Sequence, residues 1–370
     1  MLNTSKIPNL QPNVKNPAPD KRHGSLFAEM RGAFGKKGWQ LLLLTLLMMY
    51  FAVCWQGERV LRARVFNFFK EIGANGFGVS YKEPKSSFLA LQSGLYLDDL
   101  TVTAPKSMGG WQFKAGRISI TLNPLAPRNI SFSMRGTHSL KTEKYGDIRF
   151  IADDARADIN TGSKLSPASV KIYIQNVRSG TQNALAGSAF ERLFFRLKKI
   201  PAKHDGLASF SYSFQTENIV LPAGKHQSLP KTVEYLYLSG EIDGISQQRE
   251  KPLLKDWLDN SGTVEIKKGE IIWKPLMAEF SATAALNGAL EPTVAATAKA
   301  YGFFDMLEIL ENEHIISSGN LSVAKVVLGP RLTVEHGENR PSLSTSFSYQ
   351  DGNLYAGQIV LIEKNTGDEP

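Results

Sequence analysis

Hydrophobic and polar residues alternate along most of this chain from about residue 79 onward. Side chains on a β-strand point alternately to opposite faces, so this period of two predicts strands with one apolar and one polar face. The pattern predicts a mainly β fold with an extended antiparallel sheet, curved or groove-forming. The alternating apolar positions are Leu95, Leu97, Leu100, Val102, Ile118, Ile120, Leu122, Ile130, Phe132, Met134, Val170, Ile172, Ile174, Phe210, Tyr212, Phe214, Val233, Tyr235, Tyr237, Val264, Ile266, Phe280, Ala282, Ala284, Leu286, Leu321, Val323, Leu332, Val334, Leu343, Phe347 and Tyr349.

Turn residues and a weak repeat extend this prediction. Residue pairs able to adopt positive φ fall between strand patterns and indicate hairpin turns. They are Ala115-Gly116, Lys268-Gly269, Asn287-Gly288 and Asp351-Gly352. Residues 94–102, 262–273 and 319–328 each begin with glycine and predict a repeated hairpin, with a brief polar break between two apolar stretches.

A few short helices are predicted within the β region. Apolar residues at a helical spacing occur in 184–199, where Phe190, Leu193, Phe194 and Leu197 would share one face. Two further segments, 252–259 and 303–311, show the same spacing. The short ones are expected to cap the sheet or cross between sheets.

The stretch from Trp39 to Trp55 contains no charged residue and predicts one membrane span. It would form about 25 Å of helix, close to the hydrocarbon thickness of a bilayer. Trp39 and Trp55 are predicted at the membrane interfaces, with Lys36 and Lys37 beside the first. A buried core helix would normally carry a polar stripe. A cleaved signal peptide would need a small-x-small site, which the end of the run lacks.

Charges flanking the span predict its orientation. Seven lysines and arginines precede the run, which favours a cytoplasmic N-terminus and a periplasmic body in a bacterial inner membrane. The predicted divisions are a disordered cytoplasmic tail (1–33), a transmembrane signal anchor (34–56), an amphipathic stem (57–78), a periplasmic β domain (79–364, as one domain or as halves 79–250 and 251–364) and a disordered tail (365–370).

The formal charge of +8 is concentrated near the start of the chain. Residues 1–64 carry a net +7, which leaves +1 for the remainder, so the body is not expected to bind nucleic acid. The basic segment instead suits anionic lipid headgroups. The single cysteine, Cys54, excludes an intrachain disulfide or a thiolate cluster and suits a bacterial periplasm better than a eukaryotic extracellular space.

Catalytic and metal-binding signatures are missing from the sequence. The chain has no nucleophile elbow, phosphate loop or His-Glu-x-x-His motif, and its six histidines are scattered. His204-Asp205 would point opposite ways in extended chain. Asp153, Asp154 and Asp158 lack the spacing of a calcium loop. The sequence therefore predicts no enzyme, no cofactor and no metal.

Aromatic residues supply the candidate binding site. Phe210, Tyr212 and Phe214 alternate along one predicted strand, and Tyr235 and Tyr237 along the next. They fit either an ordinary sheet core or an apolar groove that accepts acyl chains. The sequence pattern is the same in both cases.

Several segments resemble a known family. They are residues 95–105, 110–111, 118–124, 256–257, 261–266, 272–276 and 350–359. They are similar to the alphaproteobacterial domain-of-unknown-function family 2125 (DUF2125), over most of residues 40–362. The anchor followed by repeated amphipathic hairpins more distantly resembles the AsmA and TamB proteins. That resemblance implies a curved sheet with an apolar groove, and a role in moving phospholipid or assisting outer-membrane assembly.

Three functional hypotheses follow. The first is a non-enzymatic, inner-membrane-anchored periplasmic protein that binds or conducts phospholipid or another lipophilic envelope component. The second is an envelope scaffold with a closed β core that recruits other envelope proteins. The third, an enzyme acting on envelope polymers, would need a pair of catalytic groups that the sequence does not reveal.

Overall fold

The computed structural model describes eleven segments of the 370-residue chain. They are residues 36–74, 76–89, 92–106, 109–123, 125–143, 146–162, 167–180, 186–222, 228–246, 253–334 and 340–363, without the side chains of 36–40, 87–89, 92, 167, 253 and 254. The predicted tails, 1–33 and 365–370, lie outside these residues. The chain divides into two compact units, Met1–Trp55 and Gln56–Pro370.

In the described residues, four α-helices accompany a large set of strands. The helices are α1 (Lys36–Ala74), α2 (Leu253–Asp259), α3 (Phe303–Asn312) and α4 (Ser318–Leu328), the last followed by a 3-10 turn at Gly329–Arg331. The strands are β1 (Gly78–Ser80), β2 (Lys85–Leu89), β3 (Gln92–Thr103), β4 (Gln112–Leu122), β5 (Asn129–Thr142), β6 (Gly146–Thr161), β7 (Pro167–Ser179), β8 (Ala189–Ile200), β9 (Leu207–Val220), β10 (Thr232–Ser246), β11 (Thr263–Trp273), β12 (Leu276–Leu286), β13 (Pro292–Tyr301), β14 (Leu332–Thr333), β15 (Ser342–Gln350), β16 (Asn353–Ala356) and β17 (Ile359–Ile362).

All 17 strands belong to one antiparallel sheet. From β3 to β13 each strand pairs with the next along the chain. At one end β1 and β2 pair with successive parts of β3. At the other end β15 follows β13, and β14, β16 and β17 complete the sheet. No pairing joins the two ends within the described segments, so the sheet is open. This confirms the predicted fold class.

Strand register gives the sheet one apolar face and one polar face. Ile172, Phe195, Phe214 and Leu238 lie directly opposite one another on four consecutive strands. Directly opposed residues in an antiparallel pair share a face. The alternate residues, such as Phe194, therefore share the other face, which we call the outer face; the first is the apolar face.

A row of irregular residues crosses several strands at a similar level. Asp99, Gly136, Asn176 and Asn218 have φ angles of 53°, 93°, 48° and 51°. At this level the register shifts in the β4–β5 and β5–β6 pairs, and an extra residue at such a shift bends a strand and increases its twist. His138, on the apolar face beside this row, is only 1% exposed.

Helices cover the apolar face at both ends of the sheet. Leu61 and Val65 of α1 pack against Leu95, Leu97 and Ile120 of β3 and β4. At the other end α3 and α4 pack against β13, β15, β16 and β17 in a second apolar cluster. The amphipathic pattern of residues 57–74 thus forms part of the folded body.

The helix predicted over 184–199 is wrong, because most of this segment is strand β8. Leu193, Phe195 and Leu197 pair on the apolar face with residues of β7 and β9. The same apolar residues fit both a helical and an alternating period, and pairing with two neighbouring strands decides in favour of the strand. The predictions over 252–259 and 303–311 are confirmed by α2 and α3.

The hairpin predicted over 319–328 is also wrong, because this segment is helix α4. Ser317 caps it by accepting a hydrogen bond from the Asn320 backbone N–H at 3.0 Å. Ala324 and Leu328, four residues apart, are its buried positions. The sequence contains both helix signals, the capping serine and the four-residue spacing of Ala324 and Leu328. The valines of this segment favour a strand, and they led to the wrong prediction.

The other two repeat units are single strands and not hairpins. Residues 94–102 lie within β3, and 262–273 lie almost entirely within β11. Their polar breaks are the left-handed Asp99 and a bulge between Ile266 and Gly269. The turns predicted at Ala115-Gly116 and Lys268-Gly269 likewise lie inside β4 and β11, whereas those at Asn287-Gly288 and Asp351-Gly352 are confirmed.

Candidate functional site

The candidate site is the apolar face of strands β6 to β11, between the two helix-covered ends of the sheet. Nearly all of its large side chains are half-buried instead of buried. They are Ile159, Val170, Ile172, Ile174, Leu193, Phe195, Leu197, Phe210, Tyr212, Phe214, Leu236, Leu238, Ile242, Val264, Ile266, Ile271 and Trp273. We call this surface the groove.

The helices that pack on the apolar face contribute to clusters at the two ends of the sheet, on either side of the groove. Helix α1 packs over β3 to β5, α3 and α4 pack near β12 to β17, and α2 contacts β10. Among the described residues, neither of the two helix-packed apolar clusters includes a residue of β6 to β9. Six strands about 4.8 Å apart give this surface a length of roughly 24 Å.

The predicted aromatic residues separate into two groups. Phe210, Tyr212 and Phe214 lie in the groove, opposite Ile242, Gly240 and Leu238 of β10. Tyr235 and Tyr237 lie on the outer face, opposite Glu217 and Gln215 of β9. The Lys268 ammonium lies 6.0 Å from the ring centre of Tyr237. The structure therefore does not bring the five aromatic residues together.

Tyr212 lies along the floor of the groove. Its partner across the ladder is Gly240, and its hydroxyl lies 3.4 Å from the Glu265 carbonyl oxygen on the next strand, β11. Burial, with a smaller contribution from Glu265, raises the pKa of the Tyr212 hydroxyl. The side chain therefore spans β10 and presents an uncharged ring to the groove.

Helix α1 contains the segment predicted to span a membrane. The helical segment Leu41–Ala74 is long and apolar enough to cross a membrane. Trp55 is 51% exposed. Lys36, Lys37 and Trp39 lie in the first turns of α1, but their side chains are outside the described residues. The interfacial roles of these four residues stay predictions.

A family model described as "Uncharacterized protein conserved in bacteria (DUF2125)" matches residues 55–362. The chain belongs to the DUF2125 family. The matched region includes the folded stem of α1, the groove and both covered ends of the sheet. No curated protein and no solved structure matches the chain. The alphaproteobacterial origin and the more distant resemblance to AsmA and TamB stay predictions.

On the outer face of this DUF2125 sheet, charged side chains form ion pairs. Arg117 donates to Asp98 at 2.6 Å and Lys85 donates at 3.1 Å, which lowers the pKa of Asp98 to about 2. Lys203 contacts Asp243 at 2.6 Å and Glu241 at 3.1 Å. These pairs keep the outer face polar and solvent-compatible.

The acidic cluster considered in the sequence does not converge on one point. Asp154 pairs with Arg135 and Arg156, Asp153 accepts a hydrogen bond from Asn176, and Asp158 accepts one from Ser131. Within the described segments no group of three or more His, Cys, Asp or Glu residues could hold a metal ion.

His138 is a buried residue that the sequence pattern does not indicate. Its ring contacts those of Phe113 and Phe150, with centroid distances of 6.2 Å and 5.5 Å, and the two phenylalanine rings lie 6.5 Å apart. Both ring nitrogens are buried without a hydrogen-bond partner. Burial lowers the pKa of His138 from 6.5, so the ring is neutral in the folded protein at pH 7. Its position becomes visible only when β4, β5 and β6 are placed side by side.

Replacing His138 with phenylalanine should stabilise the protein by about 1 kcal/mol at pH 7, because two unsatisfied buried nitrogens are removed. The gain should grow as the pH falls below 6.5. In that range the wild-type unfolded chain binds a proton that the folded chain resists, so the wild type loses stability. Denaturant titrations of the full chain at pH 7.5 and 5.5 measure both effects.

The exposed His204 supplies the control for this measurement. His204→Phe replaces an exposed imidazole by the same ring and removes no buried unsatisfied nitrogen, so it should give no gain in stability at pH 7.5. Equal pH dependence for the wild type and His138→Phe would contradict the argument.

Proposed function

We propose that this DUF2125 protein is a non-enzymatic, membrane-anchored protein that binds the acyl chains of lipids in its groove. The observation that carries the proposal is the apolar face of β6 to β11, whose large side chains are half-buried and not fully buried. Soluble proteins rarely expose a continuous apolar surface of this extent unless it binds something. The groove contains aliphatic and aromatic side chains and is roughly as long as a lipid tail.

Burial of an acyl chain would supply substantial free energy. Each methylene removed from water contributes about 0.8 kcal/mol, so ten would give about 8 kcal/mol before the entropic costs of binding. Binding would also remove groove rings such as Phe195 and Phe214 from water, which adds to the favourable free energy of binding. A hydrophobic ligand therefore suits this surface better than a polar one.

The proposed setting is the bacterial envelope. Helix α1 would hold the chain in the inner membrane with its N-terminus in the cytoplasm, which would place the sheet in the periplasm beside a supply of lipid. The ligand would be a phospholipid or another lipophilic envelope component. The scaffold hypothesis required a closed β core, and the open sheet with a half-buried apolar face gives it less support.

Site-specific photocrosslinking tests the proposal in cells. Phe214 faces the groove, and its neighbour Gln215 faces outward on the same strand. With p-benzoylphenylalanine at position 214, irradiation should give peptide adducts with the mass of a lipid. The same probe at position 215 should give few.

This design separates groove lipid from lipid bound around the membrane helix, because only the probed position is labelled. Equal lipid labelling at 214 and 215, or none at 214, would count against a lipid-binding groove. Adducts with peptides of another protein at 214 would instead favour the scaffold.

A further inference from the structure

Lys199 is a charged residue on the apolar face, next to the last residue of β8. It follows Leu193, Phe195 and Leu197 in the alternation of that strand and lies directly opposite Phe210. Its side chain is exposed. A lysine at this position can lay its methylene stem along the apolar surface and hold its ammonium in water at the edge of the groove.

The charge of Lys199 is uncompensated within the described part of the chain. Glu191 and Glu234 also fall on the groove side of the strand alternation, and both have partners. Glu234 pairs with Lys274 at 2.9 Å, and Glu191, near the opposite end of β8 from Lys199, accepts a hydrogen bond from Asn218 at 2.5 Å. No ion pair or hydrogen bond of the Lys199 ammonium is found among the described residues. Glu234 lies near the start of β10, at the opposite edge of the groove from Lys199.

Neighbouring charges do not neutralise this edge. Lys198, the preceding residue, is exposed on the outer face. Lys203 is held on the outer face by Asp243 and Glu241. Asp205 lies in the exposed turn that follows β8. Lys199 is therefore a cation beside an uncharged apolar surface.

We infer that the groove selects anionic amphiphiles, with the phosphate or carboxylate of the ligand at Lys199 and its chain along Leu197 and Phe195. This inference rests on the proposed function and adds the class of lipid. A tail packed on the apolar face would bring its headgroup to the edge of the sheet, where the ammonium provides an opposite charge. The distance along β8 from Lys199 to Leu193 is about 20 Å, so one extended chain fits on this strand.

The test compares headgroups on the full chain in detergent micelles. Tail-labelled fluorescent phosphatidylglycerol, phosphatidylcholine and a fatty acid serve as probes. The wild type should bind phosphatidylglycerol about fivefold more tightly than phosphatidylcholine, a preference that salt should weaken. Lys199→Glu should abolish the preference and leave phosphatidylcholine binding unchanged. Lys199→Gln should show a preference for phosphatidylglycerol weaker than that of the wild type and stronger than that of Lys199→Glu.

Lys198→Glu is the matched control, since it changes the same charge one residue away on the outer face. It should retain the preference. Loss of the preference in Lys198→Glu, or a wild type without one, would overturn the assignment of Lys199. Absence of binding by all three probes would overturn the proposed function as well. Stronger binding of the fatty acid than of phosphatidylglycerol would support a carboxylate ligand. Stronger binding of phosphatidylglycerol would support a phosphate ligand.

Discussion

Replacing Phe195 with aspartate should reduce lipid binding about 100-fold while leaving the sheet folded. Phe195 lies in the middle of the groove, between Ile172 and Phe214. An acyl chain seated there would have to bury the new carboxylate, at a cost of several kcal/mol. A loss of about 3 kcal/mol corresponds to roughly 100-fold in affinity. Because Phe195 is only half-buried, water can reach the carboxylate in the free protein, so the fold should survive.

Phe194→Asp provides the control on the same strand. Phe194 is the adjacent residue, is 37% exposed and faces outward. Titration of each variant with a tail-labelled lipid, together with its thermal unfolding, separates binding from stability. Should both aspartate variants bind as the wild type does, the groove cannot be the lipid site. Should both lose binding together with their cooperative unfolding, Phe195→Ser would replace the aspartate in the comparison.

Replacing Gly240 with alanine should destabilise the protein by about 3 kcal/mol. A Cβ atom at this position would overlap the carbonyl oxygen of Glu265 on the neighbouring strand. The register of β10 against β11 shifts at Ser239 and Gly240, and the two backbones approach closely there. Relief of the overlap would require the strands to separate, with loss of ladder hydrogen bonds and of packing around Tyr212.

Gly116→Ala is the matched comparison, because it also lies in a bulged strand but would meet no atom within 4 Å. Its effect should be within about 0.5 kcal/mol of zero. Tryptophan fluorescence during denaturant unfolding reports both variants through Trp257 and Trp273. Similar midpoints for Gly240→Ala and the wild type would show that the two strands can move apart at little cost.

Alternation in the sequence was enough to predict the sheet, but not which way each strand faces. In β9 the sequence distinguishes the apolar face from the polar one, because serines alternate with Phe210, Tyr212 and Phe214. At β10 both faces carry apolar residues, since Leu236 and Leu238 alternate with Tyr235 and Tyr237. Alternation with a period of two indicates which residues share a face. Pairing with neighbouring strands decides which of the two faces turns inward.

The missed features depend on contacts between strands distant in sequence. Segment 94–102 contains a break that looks like a turn, but in the sheet it is one strand with a left-handed Asp99. Lys199 looked like the last turn of a helix and becomes part of a groove edge once β8 is paired. Local propensity does not distinguish a bulge from a turn, because both favour the same small and polar residues.

The packing of α1 has a practical consequence for truncation. A soluble fragment that starts at residue 79 would lack Leu61 and Val65, which are buried against Leu95 and Leu97. Their removal would expose an apolar surface at the first strands, where edge pairing and aggregation begin most easily. A fragment for crystallisation or spectroscopy should therefore begin before Glu58, so that it contains the buried face of the stem together with the sheet.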